Sequence, residues 1–281
     1  MNKKQSFRLL TTSCLFSIIM SLNLITHNYN NSICAFFNIF NRNLNLNEFS
    51  QLYIITCTVK FIPLIGSSFV TSDFMCDNYE TARHYIFTRM GSKFKWYLYS
   101  SSQIAIYCIC YMIISFGIYT IFSLFSVGTK VINKDFINIF FHLFLSYALL
   151  AILVSLITNI LSIYLKSFVS LLITWSFIFF PTQIFPLLIN NNDNLIKTFP
   201  ISSIFDVFYS SLVHVFEVND LKMFYINLGK YTNYSTSIYL LTLIIIAFII
   251  GYIVLNFHSI VFILRRLKYG SNRNCKCSEN D

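Results

Sequence analysis

The sequence predicts an all-α, polytopic membrane protein with about six transmembrane helices and both termini on the cytoplasmic side of a cell membrane. Three observations predict it. Of the 281 residues, 56% are hydrophobic and only 11% are charged, where a soluble domain carries about a quarter charged residues. The apolar residues gather in six stretches near the roughly 20 residues that a helix needs to cross the hydrocarbon core. Lysine and arginine are unevenly shared among the intervening segments, which is how such a chain fixes its orientation.

The first stretch, Phe7–Ile25, follows Lys3 and Lys4 and includes Arg8. That looks like a signal sequence, but no small-x-small cleavage site comes after it, so an uncleaved span is expected. The second, Leu52–Val70, holds Lys60 near its middle. A charge at that depth costs at least a few kcal/mol unless it snorkels or meets a polar cavity. Lys60 is therefore either solvated within the bundle or a candidate for a translocation surface or subunit interface.

The remaining stretches are Trp96–Phe125, Phe136–Leu165, Phe168–Ile189 and Ser237–Leu264. The third, fourth and sixth of the series exceed the needed length, so they tilt or project beyond the bilayer. Pro181 and Pro186 kink the fifth. Between the fifth and sixth, residues 190–236 form an outer segment. There Ile201, Ile204, Phe205, Phe208, Leu212, Val215 and Phe216 fall on one helical face, and Asp206, Ser210, His214 and Glu217 on the other. An amphipathic helix on the outer leaflet is expected.

The segments assigned to the inner side hold thirteen lysines and arginines, five of them in the basic tail 265–281, against six in the outer segments. This places the net charge of +9 in short clusters between apolar runs, a membrane pattern and not a nucleic-acid footprint. The abundance of Phe and Tyr (31 and 18 residues) fits an AT-rich coding sequence. Most of the eight cysteines lie within apolar runs, where they act as small hydrophobes. The Cys275-Lys276-Cys277 tail has no His nearby, and two ligands alone make a poor metal site.

No acidic residue falls within the six stretches, which argues against proton- or sodium-coupled carriers that use buried carboxylates. There is no P-loop to cradle a nucleotide and no His-Glu-x-x-His motif. No catalytic constellation and no cofactor are expected. A conduit, or part of one, driven from elsewhere remains.

The inner loop 71–95 is the most informative segment. Asp77 and Glu80 form a capping-box pattern. Tyr79, Ala82, Ile86 and Met90 follow at helical spacing, and Arg89 and Gly91 suit a helix end. A helix of about 13 residues across the inner membrane face is expected. It is either an ordinary interfacial helix or a docking helix, with Tyr79, Ile86 and Met90 as its apolar stripe and Glu80, Arg83 and Arg89 at the rim.

The run Tyr85-x-x-x-Arg89-x-Gly91-Ser92-x-x-x-Trp96 resembles the loop before the third span in ABC transporter type-2 permeases of Gram-positive bacteria. Some 25 residues carry the motif, and the six-span plan, with termini inside and a long outer segment between the fifth and sixth spans, is similar over the whole chain. The resemblance implies a single transmembrane domain, 1–281, acting as the permease subunit of an ABC exporter. It implies a separate cytoplasmic ATPase subunit contacting the inner loop, and a second permease subunit, from the same chain or a paralogue, within the lipid bilayer. A non-transporting membrane protein, such as a bacteriocin-immunity or signalling partner, is the alternative, and a membrane enzyme a third.

Overall fold

A computed structural model describes residues 3–25, 51–82, 93–127, 134–177, 237–238 and 240–256. The described residues are all helical apart from short turns, with no strand among them. Seven helices are described: α1 (Lys3–Ile25), α2 (Gln51–Thr71), α3 (Phe74–Ala82), α4 (Lys93–Val127), α5 (Lys134–Ser162), α6 (Ser167–Phe177) and α7 (Leu240–Asn256). Helices α1, α2, α4, α5, α6 and α7 fall on the six apolar stretches of the sequence. Two segments, Lys93–Phe122 and Leu143–Ser162, are long and apolar enough to cross a membrane; the apolar segments Ser6–Ile19, Ser167–Phe177 and Leu240–Asn256 are shorter.

The 35 residues of α4 make a rod of about 52 Å, well beyond a hydrocarbon thickness of about 30 Å. Pro63 lies inside α2. It has no N–H to offer the carbonyl of Val59, so the helix carries one missing rung there.

Consecutive long helices run antiparallel. Arg8, near the start of α1, meets Asp73 just past the end of α2. Along α4 and α5, Phe116 contacts Phe140 and Tyr147 while Cys108 contacts Ser155, so one index rises as the other falls. The C-terminal half of α7 returns to the start of α4, where Phe94 packs on Tyr252 with ring centroids 5.3 Å apart. Tyr97 stacks on Phe248 at 4.8 Å and donates to its carbonyl at 3.1 Å.

Apolar side chains fill the core, and large apolar side chains also cover much of the outside. Large apolar side chains face outward: Phe7, Leu10, Leu15 and Ile18 of α1; Leu98, Ile106, Ile113 and Phe125 of α4; Leu241, Ile245, Ile249 and Ile253 of α7. Inside, packed among Tyr, Trp and Leu, sit Ser13, Ser17, Ser21, Ser67, Ser68, Ser155, Thr158, Asn159 and Thr174. Small hydroxyl residues let helix backbones come close, and each can bond a carbonyl of its own helix. Ser13, Ser17 and Ser21, four residues apart, share one face of α1. Ser17 donates across to the carbonyl of Ser115 on α4 at 3.0 Å.

One sequence expectation is corrected. The inner-loop helix begins at Phe74, not at Asp77. Asp73 occupies the cap position, and its carbonyl accepts the N–H of Asp77 at 2.9 Å. Asp77 therefore lies in the first turn, where its charge suits the positive end of the helix. The course of this helix beyond Ala82, the outer segment 190–236, Pro181, Pro186 and the tail 265–281 lie outside the described residues.

Candidate functional site

Polar side chains from α1, the α2–α3 junction, α5 and α6 converge where α1 begins and α2 ends. Arg8 Nη1 donates to Asp73 Oδ2 at 2.7 Å, with both side chains about one third exposed. The Arg8 guanidinium also lies 4.4 Å above the ring of Phe69, a cation–π contact within the same end of α2. Ser72 donates to the other carboxylate oxygen at 3.2 Å, and Ser167, the first residue of α6, hydrogen-bonds the same side chain. One carboxylate thus joins the start of α1, the α2–α3 junction and the start of α6.

Burial alone pushes the Asp73 carboxyl up. The hydrogen bonds from Arg8, Ser167 and Ser72, with the charge of Arg8, more than offset this and hold it below its ordinary value of 3.8. A lowered carboxyl stabilises the fold in full above its unfolded value, and that contribution is lost as pH falls through the folded one. The stability difference between wild type and Asp73→Asn should therefore be constant from neutral pH down to about 3.8 and shrink below it. Thermal unfolding in detergent over a pH series checks this, and a difference that grows on acidification contradicts it.

Asn159 of α5 reaches across to the start of α3. Its Oδ1 accepts the N–H of Met75 at 3.0 Å while its Nδ2 donates to the carbonyl of Ser155 at 2.8 Å. Asn159 is fully buried, and both ends of its amide are used. Asn159 is thus satisfied in part by a hydrogen bond between elements.

The far end of α3 is anchored by rings. Tyr79, 8% exposed, packs on Trp96 at the start of α4 with centroids 5.9 Å apart. Of the expected docking residues, Tyr79 therefore faces the protein interior. Glu80 lies in the α3 backbone with its side chain outside the described residues, as do Arg83, Ile86, Arg89 and Met90 entirely. Lys60 lies in the backbone of α2, and its side chain is likewise outside the described residues. The structure brings together Arg8, Asp73, Asn159 and Ser167, a group that sequence reading missed. The signal available was slight: Asp73 is the acidic residue nearest the end of an apolar stretch that lacks a charge partner within four positions.

Chemically the node offers one ion pair, hydroxyls and an amide. Among the described residues no three His, Cys, Asp or Glu side chains come together as a metal site. The arrangement can bear load between helices, and its parts are suited to holding the short helix α3 at a fixed angle across the bundle end. Comparison with protein families, curated proteins and solved structures gives no match.

Proposed function

We propose that this chain is the six-span permease subunit of an ABC exporter, driven by a separate ATPase subunit and working with a second permease subunit. The observation that supports it most is the attachment of α3. Asn159 holds its start, Asp73 links the junction before it to Arg8 and Ser167, and Trp96 holds Tyr79 near its end. A short helix tied to α1, α4, α5 and α6 is a lever that can pass movement from a cytoplasmic partner into the bundle. The outward Ile, Leu and Phe support the membrane setting, since they suit lipid, and inward hydroxyls suit helix contacts.

In this reading the end carrying Arg8 and Asp73 faces the cytoplasm, as the charge asymmetry of the sequence expects. The chain supplies no reaction chemistry. It moves substrate by exchanging conformations while its partner hydrolyses ATP, and the loop 83–92 beyond α3 carries the contact.

Affinity purification of the tagged chain from mild detergent should recover an ATPase subunit. Ile86→Asp should abolish that recovery while the membrane protein accumulates at wild-type levels, because a desolvated charge at the contact costs several kcal/mol. Ile86 is the position to change, since Tyr79→Asp would also break the packing on Trp96. Recovery of no ATPase with the wild type would remove the permease reading and leave the non-transporting alternative. Full recovery with Ile86→Asp would remove the docking role of the loop.

A further inference from the structure

The two ends of the bundle are held shut by different chemistry. At the Arg8 end, Ser67, Ser68 and Thr71 of α2, Thr158 of α5, and Ser170 and Thr174 of α6 are all buried. Each hydroxyl donates to a carbonyl three or four residues back in its own helix, at 2.7–3.0 Å for the pairs Ser67–Leu64, Ser68–Ile65, Thr71–Ser67, Thr158–Val154, Ser170–Ser167 and Thr174–Ser170. They line the helix contacts without spending their donors across them. Side-chain bonds that cross between elements here include those from Arg8 and Ser167 to Asp73, from Trp175 to Ser68 at 2.8 Å, and from Met75 N to Asn159. At the opposite end, α4 and α5 meet through rings, with Phe116 against Phe140, Phe144 and Tyr147 at 5.7–6.0 Å.

Opening these two contacts has unequal cost. Water entering between hydroxyl faces can bond lone pairs that the closed form leaves unused, and no donor has to be torn from a neighbouring helix. Water entering the ring cluster meets few polar atoms, chiefly the Ser115 and Ser146 hydroxyls, and exposes the apolar area of four rings at roughly 25 cal/mol per Å². What keeps the first contact shut is then a small number of specific ties. Among them Asp73 is the one that joins three segments through a single side chain.

We propose that the Arg8–Asp73 pair is the latch of a gate at this end of the bundle. Its release lets water enter between the hydroxyl faces of α2, α5 and α6 while the ring cluster at the far end stays closed. The gate follows from the helix contacts themselves and does not depend on the identity of a partner.

The test uses the full chain in lipid nanodiscs, where both faces meet solvent, with the eight native cysteines replaced by alanine. Ser170→Cys then serves as a reporter inside the hydroxyl-faced contact, and Ser146→Cys, on α5 between Phe144 and Tyr147, as a reporter at the ring cluster. A water-soluble maleimide labels only a thiol that water reaches. Asp73→Asn and Arg8→Gln should each speed labelling of Ser170→Cys about fivefold, the effect expected of an ion pair about one third exposed. Asp73→Glu, which keeps the carboxylate, should label as slowly as the wild type, and Ser146→Cys should stay slow in every background. Unchanged labelling of Ser170→Cys in the charge-removing variants overturns the latch. So does fast labelling with Asp73→Glu, or a rise at Ser146→Cys in step with Ser170→Cys, which would mean general loosening and no gate.

Discussion

Gly66→Ala should destabilise the bundle by about 1–2 kcal/mol, although alanine is the better helix former by about 1 kcal/mol. At Gly66 the helices α1, α2 and α4 pass so close that a Cβ would overlap the Tyr111 hydroxyl. It would also come within 2.5 Å of Phe16 Cδ2 and 2.7 Å of Tyr111 Cζ. Tyr111 is fully buried, so its ring has nowhere to swing, and one of the three helices must shift along its length. A leucine at the same position should prevent accumulation of folded protein altogether. Tyr111→Phe should restore part of the loss in the alanine variant, because the hydroxyl is the atom nearest the new methyl group, and the two changes should be non-additive. Thermal unfolding of the four proteins of this cycle in detergent measures it. Additive effects would mean that the contact at Gly66 is looser than the structure has it.

Asn159→Leu should cost about 2 kcal/mol, most of it from leaving the Met75 N–H without an acceptor in a buried place. Leucine keeps the branching and heavy-atom count of asparagine and is somewhat larger, so the change removes the amide without leaving a cavity. The loss should be local in one respect. Amide exchange at Met75 and Cys76, at the start of α3, should accelerate more than exchange in the centre of α5, because the lost acceptor is the one that holds the Met75 N–H. Hydrogen-exchange mass spectrometry on peptides covering 71–82 and 146–162 reads both. If protection of α3 is unchanged, its start is held by something other than Asn159. If the permease reading is right, the same variant should also weaken coupling between the loop and the bundle, since α3 would then be fastened at one end only.

These two positions show where sequence reading reaches and where it stops. Gly66 is one of seven glycines, and nothing in the local run Ile65-Gly66-Ser67 distinguishes a crossing point from a small residue in an apolar helix. Gly117 is equally central in its helix, yet a Cβ there would meet nothing within 4 Å. Asn159, a polar residue within an apolar run, carries no local sign that it accepts the N–H of a residue 84 positions away. The same gap explains the misplaced start of α3. Asp77 with Glu80 matched a local capping pattern, whereas the helix is capped from another element and starts at Phe74.

Composition and local order by themselves determined the helical class of the described residues, the placement of the helices on the apolar runs, and the unusual length of α4 and α5. Those properties follow from which residues are neighbours along the chain, since helix formation depends on apolar run length and on the scarcity of breakers within it. The sequence also laid out the asymmetry of lysine and arginine on which the orientation rests. Only the tertiary structure decided that Arg8 meets Asp73, that Tyr79 turns inward onto Trp96, and that the hydroxyl residues sit inside while Ile and Phe face out. These depend on how far each helix is rotated about its axis and slid along its neighbour. A nearly uniform apolar run leaves both variables open, because any face of such a helix buries about as much apolar surface as any other. Close packing at small residues such as Gly66 and Ser17, and the need to pair each buried polar group, select one arrangement.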